Sequence, residues 1–513
     1  MPPEPDRPPF AARPVWALAA ALLLLHVVTN LVTPYGIQRD EFLYLAMGDH
    51  LRLWRMDFPP LIAIVADVER FCLGTALVAL RAVPALAASL LAVLAALLAR
   101  EMGGGRFAQV FAALAVAASV FFQRAGALFQ PVILDALWWT AAFYPLARLC
   151  RGDAPEGRWW LLLGLAGGAG LLTKFSILFL GFGVLVALLA TERRRALLTR
   201  WPWIALAVAL AVGSPSLVGQ LRLGWPLVGQ MQNLRQTQLG HVSVAGFFLT
   251  QLMFGPAMLA GAWGAAALLV SRGLRRFRPI GWTVLVVWIT LLVLHGKAYY
   301  AGATYAVLFA AGGVALEAGR RRAGAWLRGA AAWATAAYGL LVLPLGVPIL
   351  GPAPLQRYVR TIGAVEALRD NRGQLGALPQ DYADMLGWKE RAEAVAAAYH
   401  ALPPLERAEA VILADNWGEA GALEFYGPQL GLPQPVCSAG SFWFWGPGDK
   451  PGRVAVILGM RREDVSRLYD SVAAGPHLVN PLTVYEERDL TVYVGRGPKT
   501  TLQALWPEER GRQ

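Results

Sequence analysis

The sequence predicts a polytopic α-helical membrane protein of about eleven spans, with a smaller α/β domain outside the membrane at its C-terminal end. Three observations carry this. Of 513 residues 56% are hydrophobic and 16% charged, and the mean hydropathy is +0.46, too apolar for a water-soluble globule. Hydrophobic runs alternate with short arginine-rich loops, the pattern of a chain that crosses a bilayer repeatedly. After Leu350 the apolar runs end and helix-like and strand-like segments alternate.

The runs lie near 15–33, 73–99, 107–123, 131–149, 159–172, 175–190, 201–218, 246–270, 280–294, 299–317 and 325–350. The first follows a Pro-rich start with Arg7 and Arg13 and has no small-residue cleavage site, so it reads as a retained helix, not a signal peptide. The hairpin between Arg158 and Arg193 is the tightest, with two runs short of the ~20 residues a bilayer asks for. Basic loops at Arg100 to Arg106, Arg148 to Arg158, Arg193 to Arg200, Arg272 to Arg278 and Arg320 to Arg322 are separated by even numbers of runs. If all face the cytoplasm, the N-terminus is inside, and the loops at 34–72, 124–131, 173–174, 219–245 and 295–298 face outward with everything after about 352.

The net charge of +12 does not point to nucleic acid. Residues 355–513 carry 17 Lys+Arg against 20 Asp+Glu, so residues 1–354 carry 29 against 14, and that excess sits in the loops between spans. Cys72, Cys150 and Cys437 are scattered and odd in number, which supports neither a disulfide framework nor a thiolate metal site. Beyond the linker GPAPLQRY, helices are expected near Asp384 to Tyr399, Glu419 to Phe425 and Arg462 to Tyr469. Strands are expected at AVILAD, RVAVILG, LTVYEE and LTVYVG. This gives residues 1–352 as the membrane domain and 353–513 as the outer α/β domain, in which no P-loop, GxGxxG or CxxC occurs.

The outer loop from Pro34 to Leu61 concentrates charge. Six of the fourteen carboxylates before residue 355 fall between 34 and 72: Asp40, Glu41, Asp49, Asp57, Asp67 and Glu69. After Asp40 and Glu41, apolar residues from Phe42 to Leu53 recur at helical spacing, which reads as an amphipathic helix along the membrane surface. Asp40 as a helix cap with Glu41 in the first turn is the plain account of the pair. An outward acid pair is also placed to take a proton from a hydroxyl while a lipid-borne donor approaches from the bilayer.

Asp135, at the outer end of the fourth run, is a carboxylate at membrane depth and so a site candidate, unless it pairs with Arg124 or caps its helix. Only five lysines occur against 41 arginines, yet Lys174 and Lys297 stand at outer ends of spans, where a compact ammonium suits a phosphate head group. Snorkelling to the head groups accounts for one such lysine more readily than for two. Tyr299 and Tyr300 beside Lys297 are candidate ligands, with an aromatic belt as the plainer reading. Arg124 is a further candidate for the phosphate. His26, His50, His241 and His295 show no ligand spacing, so a divalent metal is the one cofactor left open.

The segments RDEFLYLAMGDHL, DFPPL, GLLTKFS and HGKAYYAGATYAVLFAAGG, in that order, resemble the bacterial glycosyltransferase family 39 group, the PMT-like and ArnT-like membrane enzymes of the GT-C class. DMLGWKE, DNWGEAGALEFYG and SFWFWGPGD look like the outer domain of the same group. The resemblance implies an inner-membrane enzyme that moves a sugar, with inversion, from a polyprenyl-phosphate donor on the periplasmic face. The acceptor would be an envelope lipid, a glycan or a protein. It implies Asp40 as the base with Glu41 as its pair, and Asp135 as a second acid. A transporter or flippase, and a non-catalytic envelope scaffold, are the rival classes; the first should show paired broken helices and internal symmetry.

Overall fold

The computed structural model describes residues 7–152, 156–237, 243–319 and 322–510; His241, Arg320 and Arg321 lie outside them. Each of the eleven hydrophobic runs contains helix, with breaks within 73–99 and 246–270. The first is α1, Ala12–Val32; others include Ala82–Glu101, Pro131–Arg151, Glu156–Thr173, Trp201–Leu223 and Arg322–Gly346. Six helices among the described residues are long and apolar enough to cross a membrane, or eight if two bent pairs each count as one span. The figure of eleven crossings therefore does not follow from helix length and apolarity. Arg106–Ala118 and Val120–Gly126 meet at 61°, and Val244–Met253 and Ala257–Val270 at 117°. In the tight hairpin, the second helix, Ile177–Leu189, has only 13 residues.

Small residues set how closely these helices pack. A Cβ on Gly164 would sit 2.4 Å from the Ala205 carbonyl oxygen, and one on Gly264 would sit 2.3 Å from the Gly312 nitrogen. Backbones thus touch between Glu156–Thr173 and Trp201–Leu223, and between Ala257–Val270 and Tyr305–Glu317, as expected where apolar solvent gives no hydrophobic drive and close packing must hold helices together.

The acid-rich loop folds into α2, Arg39–Asp49, and α3, Leu61–Leu73. The expectation of a helix lying on the bilayer surface is corrected here. Phe42 lies at 5.7, 5.9 and 5.8 Å from the rings of Trp388, Phe425 and Tyr426, so α2 is covered by the outer segment. The apolar spacing that suggested a membrane face serves a protein interface instead. The helix stops at His50, well before Pro59-Pro60.

The outer segment carries a five-stranded sheet: β1 Val411–Ala414, β2 Pro435–Val436, β3 Val454–Leu458, β4 Tyr469–Val479 and β5 Asp489–Pro498, in the order β2-β1-β3-β5-β4. β1 pairs in parallel with β2 and β3, while β5 runs antiparallel to β3 and β4. The strands read from AVILAD, RVAVILG and LTVYVG are present, whereas LTVYEE ends in a short 3-10 turn at Tyr485–Glu487. Unread was β4, an edge strand whose Gly475-Pro476 falls within its irregularity between Ala474 and His477, as edge strands tolerate. Trp388 and Ala422 belong to the same buried core as the helical bundle, so the two parts share apolar packing at their seam.

Candidate active site

Gln38 caps α2. Its side chain accepts from Asp40 N at 2.8 Å while Glu41 Oε2 accepts from Gln38 N at 2.6 Å, a reciprocal box in which Gln takes the usual Ser or Thr position. Asp40 is therefore not the cap. Glu41 also accepts from Arg81 Nε at 2.8 Å and Nη2 at 2.7 Å, and from Phe129 N at 2.6 Å. Both side chains of this ion pair are buried, and Arg81 also reaches Asn30 of α1 and the Gly36 carbonyl, each at 3.2 Å. Glu41 is thus a tie-point among α1, α2, Arg81 and the loop before Pro131, with its lone pairs already taken.

Asp40 lies one residue back and so about 100° around the helix. Its Oδ1 accepts from Trp417 Nε1 and its Oδ2 from Gln130 Nε2, both at a long 3.4 Å. Burial raises the Asp40 pKa, opposed by Arg39, the Trp417 hydrogen bond and Lys297. Arg39 is itself held over Trp417, 5.0 Å from the ring, and its backbone N donates to Asp384 O at 3.0 Å. Burial also raises the Asp384 carboxyl, to about 7, against the pull of Arg39. A carboxylate held this loosely in a desolvated recess keeps acceptor capacity for a proton.

Lys297 is close enough to feel the charges of both Asp40 and Lys174. Burial lowers the pKa of Lys297, the nearby Lys174 lowers it further, and Asp40 opposes both. Lys174 lies 5.2 Å from the Tyr300 ring centroid and 5.9 Å from that of Tyr299, and the two rings meet edge-on at 4.6 Å. Asp135 attracts Lys174 against the burial that lowers it, and both Asp135 oxygens accept from Ser176 Oγ at 2.7 Å. Charges therefore run in sequence from Asp40 through Lys297 and Lys174 to Asp135.

Arg124 stands apart from this row. Its Nε donates to Asp381 Oδ2 at 2.7 Å and its guanidinium lies 4.8 Å over Tyr382, so it binds the bundle to the outer segment. Asp135 does not pair with it. Among the described residues no three His, Cys, Asp or Glu side chains gather as a metal cluster.

Sequence reasoning passed over Arg81, Arg39, Gln130, Ser176 and Trp417. Arg81 was findable, because an arginine within a hydrophobic run demands a partner. Trp417 was not, since nothing local joins it to a residue 377 positions away.

Residues 57–218 match the family described as dolichyl-phosphate-mannose-protein mannosyltransferase. No curated protein is significantly similar in sequence. In fold the chain is similar to ArnT from Cupriavidus metallidurans bound to undecaprenyl phosphate, with a TM-score of 0.58, 16% identity, and 93% of this chain and 97% of that one covered. The apo state of the same ArnT gives a TM-score of 0.55 and 18% identity with the same coverage. Archaeal AglB from Archaeoglobus fulgidus, in complex with an inhibitory peptide and a dolichol-phosphate, gives 0.52 and 13%, covering 88% of this chain and 70% of that one. The PMT-like and ArnT-like resemblance and the GT-C membrane fold read from the sequence are borne out.

Proposed function

We propose that this chain, a membrane protein of PMT-like and ArnT-like GT-C fold, is an inverting glycosyltransferase. It moves a sugar from a polyprenyl-phosphate donor to a hydroxyl of an envelope lipid, glycan or protein on the outer face of the inner membrane. Residues 1–352 form the catalytic membrane domain and 353–513 the extracytoplasmic domain, with the N-terminus in the cytoplasm. The observation that carries this reading is the loosely held Asp40 carboxylate with Lys297 near it and Lys174 next to Lys297. The donor class is supported by the description of the family matched at 57–218 and by the polyprenyl phosphates named for ArnT and AglB.

In the reaction Asp40 takes the proton of the acceptor hydroxyl as its oxygen bonds to the anomeric carbon. The bond from that carbon to the phosphate oxygen breaks, and the electron pair leaves with the phosphate. Lys297 and Lys174 meet the charge that develops there, in a recess dry enough to strengthen the attraction. Tyr299 and Tyr300 flank the phosphate and hold Lys174 in place. Asp135 and Ser176 are positioning groups that keep the Lys174 ammonium charged and aimed; Glu41 positions the turn that presents Asp40. Arg124 anchors the outer segment through Nε, and its Nη1 and Nη2, which have no hydrogen-bond partner among the described residues, are left for the donor phosphate.

The direct test uses purified protein in detergent with a radiolabelled polyprenyl-phosphate sugar and an envelope extract. Transfer of label to extract is expected. A flippase has no second compartment to deliver to in detergent, so absence of transfer, with movement of the same lipid across proteoliposomes, would overturn the proposal.

A further inference from the structure

The seam between α2 and the outer helix Trp417–Tyr426 has a polar contact at each end. At one end Trp417 meets Asp40; at the other, His50 Nε2 lies 2.9 Å from Glu424 Oε1 and 2.8 Å from the Gln434 amide, with its ring stacked on Trp445 at 4.0 Å. A cleft of about 400 Å³ opens at this second end, lined among others by Asp49, Arg70, Glu424, Phe425, Gln429 and Gln434. That volume falls within the ~300–1,000 Å³ of small-ligand sites. Asp49 follows Asp40 by nine residues, which places the cleft roughly 13 Å along the helix axis from the base.

We infer that this cleft is a binding site for a neutral saccharide, the part of a glycan-bearing acceptor that lies beyond the hydroxyl being glycosylated. The inference rests on the glycosyltransferase reading for its purpose and on the cleft's own chemistry for its ligand. Arg70 spends both terminal nitrogens on Asp49, at 2.8 and 2.7 Å, and Glu424 faces His50. Arg70, the cation of the wall, is thus spent, so a phosphate meets no unpaired positive charge. What remains is acceptor and donor capacity: the outer lone pairs of Asp49, the Gln429 amide, the Gln434 amide oxygen, and Glu424 Oε2, which is buried without a partner among the described residues. A ligand hydroxyl that enters between Glu424 and its cover would satisfy that oxygen. Phe425 and the prolines of the rim offer an apolar surface for the C–H face of a sugar. A peptide finds less here, because the nearby strand β2 has two residues and begins with Pro435, a poor template for strand addition.

The test is saturation-transfer NMR on the full-length protein in nanodiscs free of glycolipid. The probes are maltose, lactose, cellobiose and diacetylchitobiose, with glucose 1-phosphate and glucosamine as charged contrasts. At least one neutral disaccharide should receive saturation. Gln429→Trp, which places an indole in the cleft from an exposed position, should reduce it about tenfold, and the isosteric Glu424→Gln by roughly threefold or more. No signal from any disaccharide, a stronger signal from a charged probe, or wild-type signal in both variants would overturn the inference. Run beside the transfer assay, the outcomes separate. Disaccharide binding lost in Gln429→Trp, in a wild type that transfers nothing, would support the cleft and refute the enzymatic reading. Transfer with an unchanged acceptor KM in Gln429→Trp would do the reverse.

Discussion

On one side of the first turn of α2, Glu41 is closed in by four hydrogen bonds, two of them from the Arg81 guanidinium. On the other side, Asp40 has two contacts of 3.4 Å and the charge of Lys297 nearby. Two adjacent carboxylates thus differ in role through the twist of a helix. The side facing the bundle takes backbone amides and a cation; the side facing the outer segment keeps a carboxylate with acceptor capacity to spare, the proposed base. Hydrogen-bond engagement separates the two: Glu41 has its lone pairs taken, and Asp40 has two long contacts.

The largest expected effect breaks the scaffold side. Glu41→Gln leaves Arg81 buried without a counter-charge, which costs about 3–5 kcal/mol, so thermal unfolding should shift sharply down and monodisperse protein should fall. Adding Arg81→Met should recover part of the loss. A Glu41→Gln protein of normal stability and no turnover would exchange the roles assigned to the two acids.

Next comes the reactive side. Asp40→Asn keeps shape and removes basicity, so transfer should fall by on the order of 10² or more while the melting temperature holds. An equal loss of stability would make Asp40 a second structural acid.

Less severe is loss of one lysine. Lys174→Met or Lys297→Met should weaken donor binding roughly tenfold each through the lost charge-assisted contact. The double variant should be less than additive, because both cations act on one phosphate. Strict additivity in titrations with labelled donor would assign them to separate groups.

The smallest effect is expected for Trp417→Phe, which deletes one long hydrogen bond to Asp40 and leaves the ring. A loss of roughly two- to fivefold in turnover fits a bond of that length. Full activity would remove the outer segment from the reaction.

How much of this was legible follows from the range of the interactions. The helices, the outer sheet's central strands and the acid turn are local, and their periodicity and loop charges show them. That Lys174 and Lys297 approach one another was inferred from their scarcity and their common side of the membrane, and the structure brings them together. The division of labour between Asp40 and Glu41 was not readable, because it depends on Arg81, Phe129 and Trp417, which reach α2 from 40, 88 and 377 residues away. The same distance explains the misread surface helix: an apolar face looks alike whether a bilayer or Phe425 covers it. Tyr299 and Tyr300 read as candidate ligands or as a belt, and their rings lie beside the Lys174 ammonium.

The central claim is that Asp40 is the base and that Lys297 lies near it. The most direct measurement is the pH dependence of single-turnover transfer in the wild type, Lys297→Met and Lys174→Met. The base works deprotonated and burial has raised its pKa, so the rate should fall as pH drops through a value above that of an ordinary carboxylate. Lys297 opposes that rise, so in Lys297→Met the acid limb should move to higher pH, while in Lys174→Met the limb should stay near its wild-type position. An acid limb that holds still in Lys297→Met, or moves equally in both variants, would contradict the assignment of Asp40 as the proton acceptor.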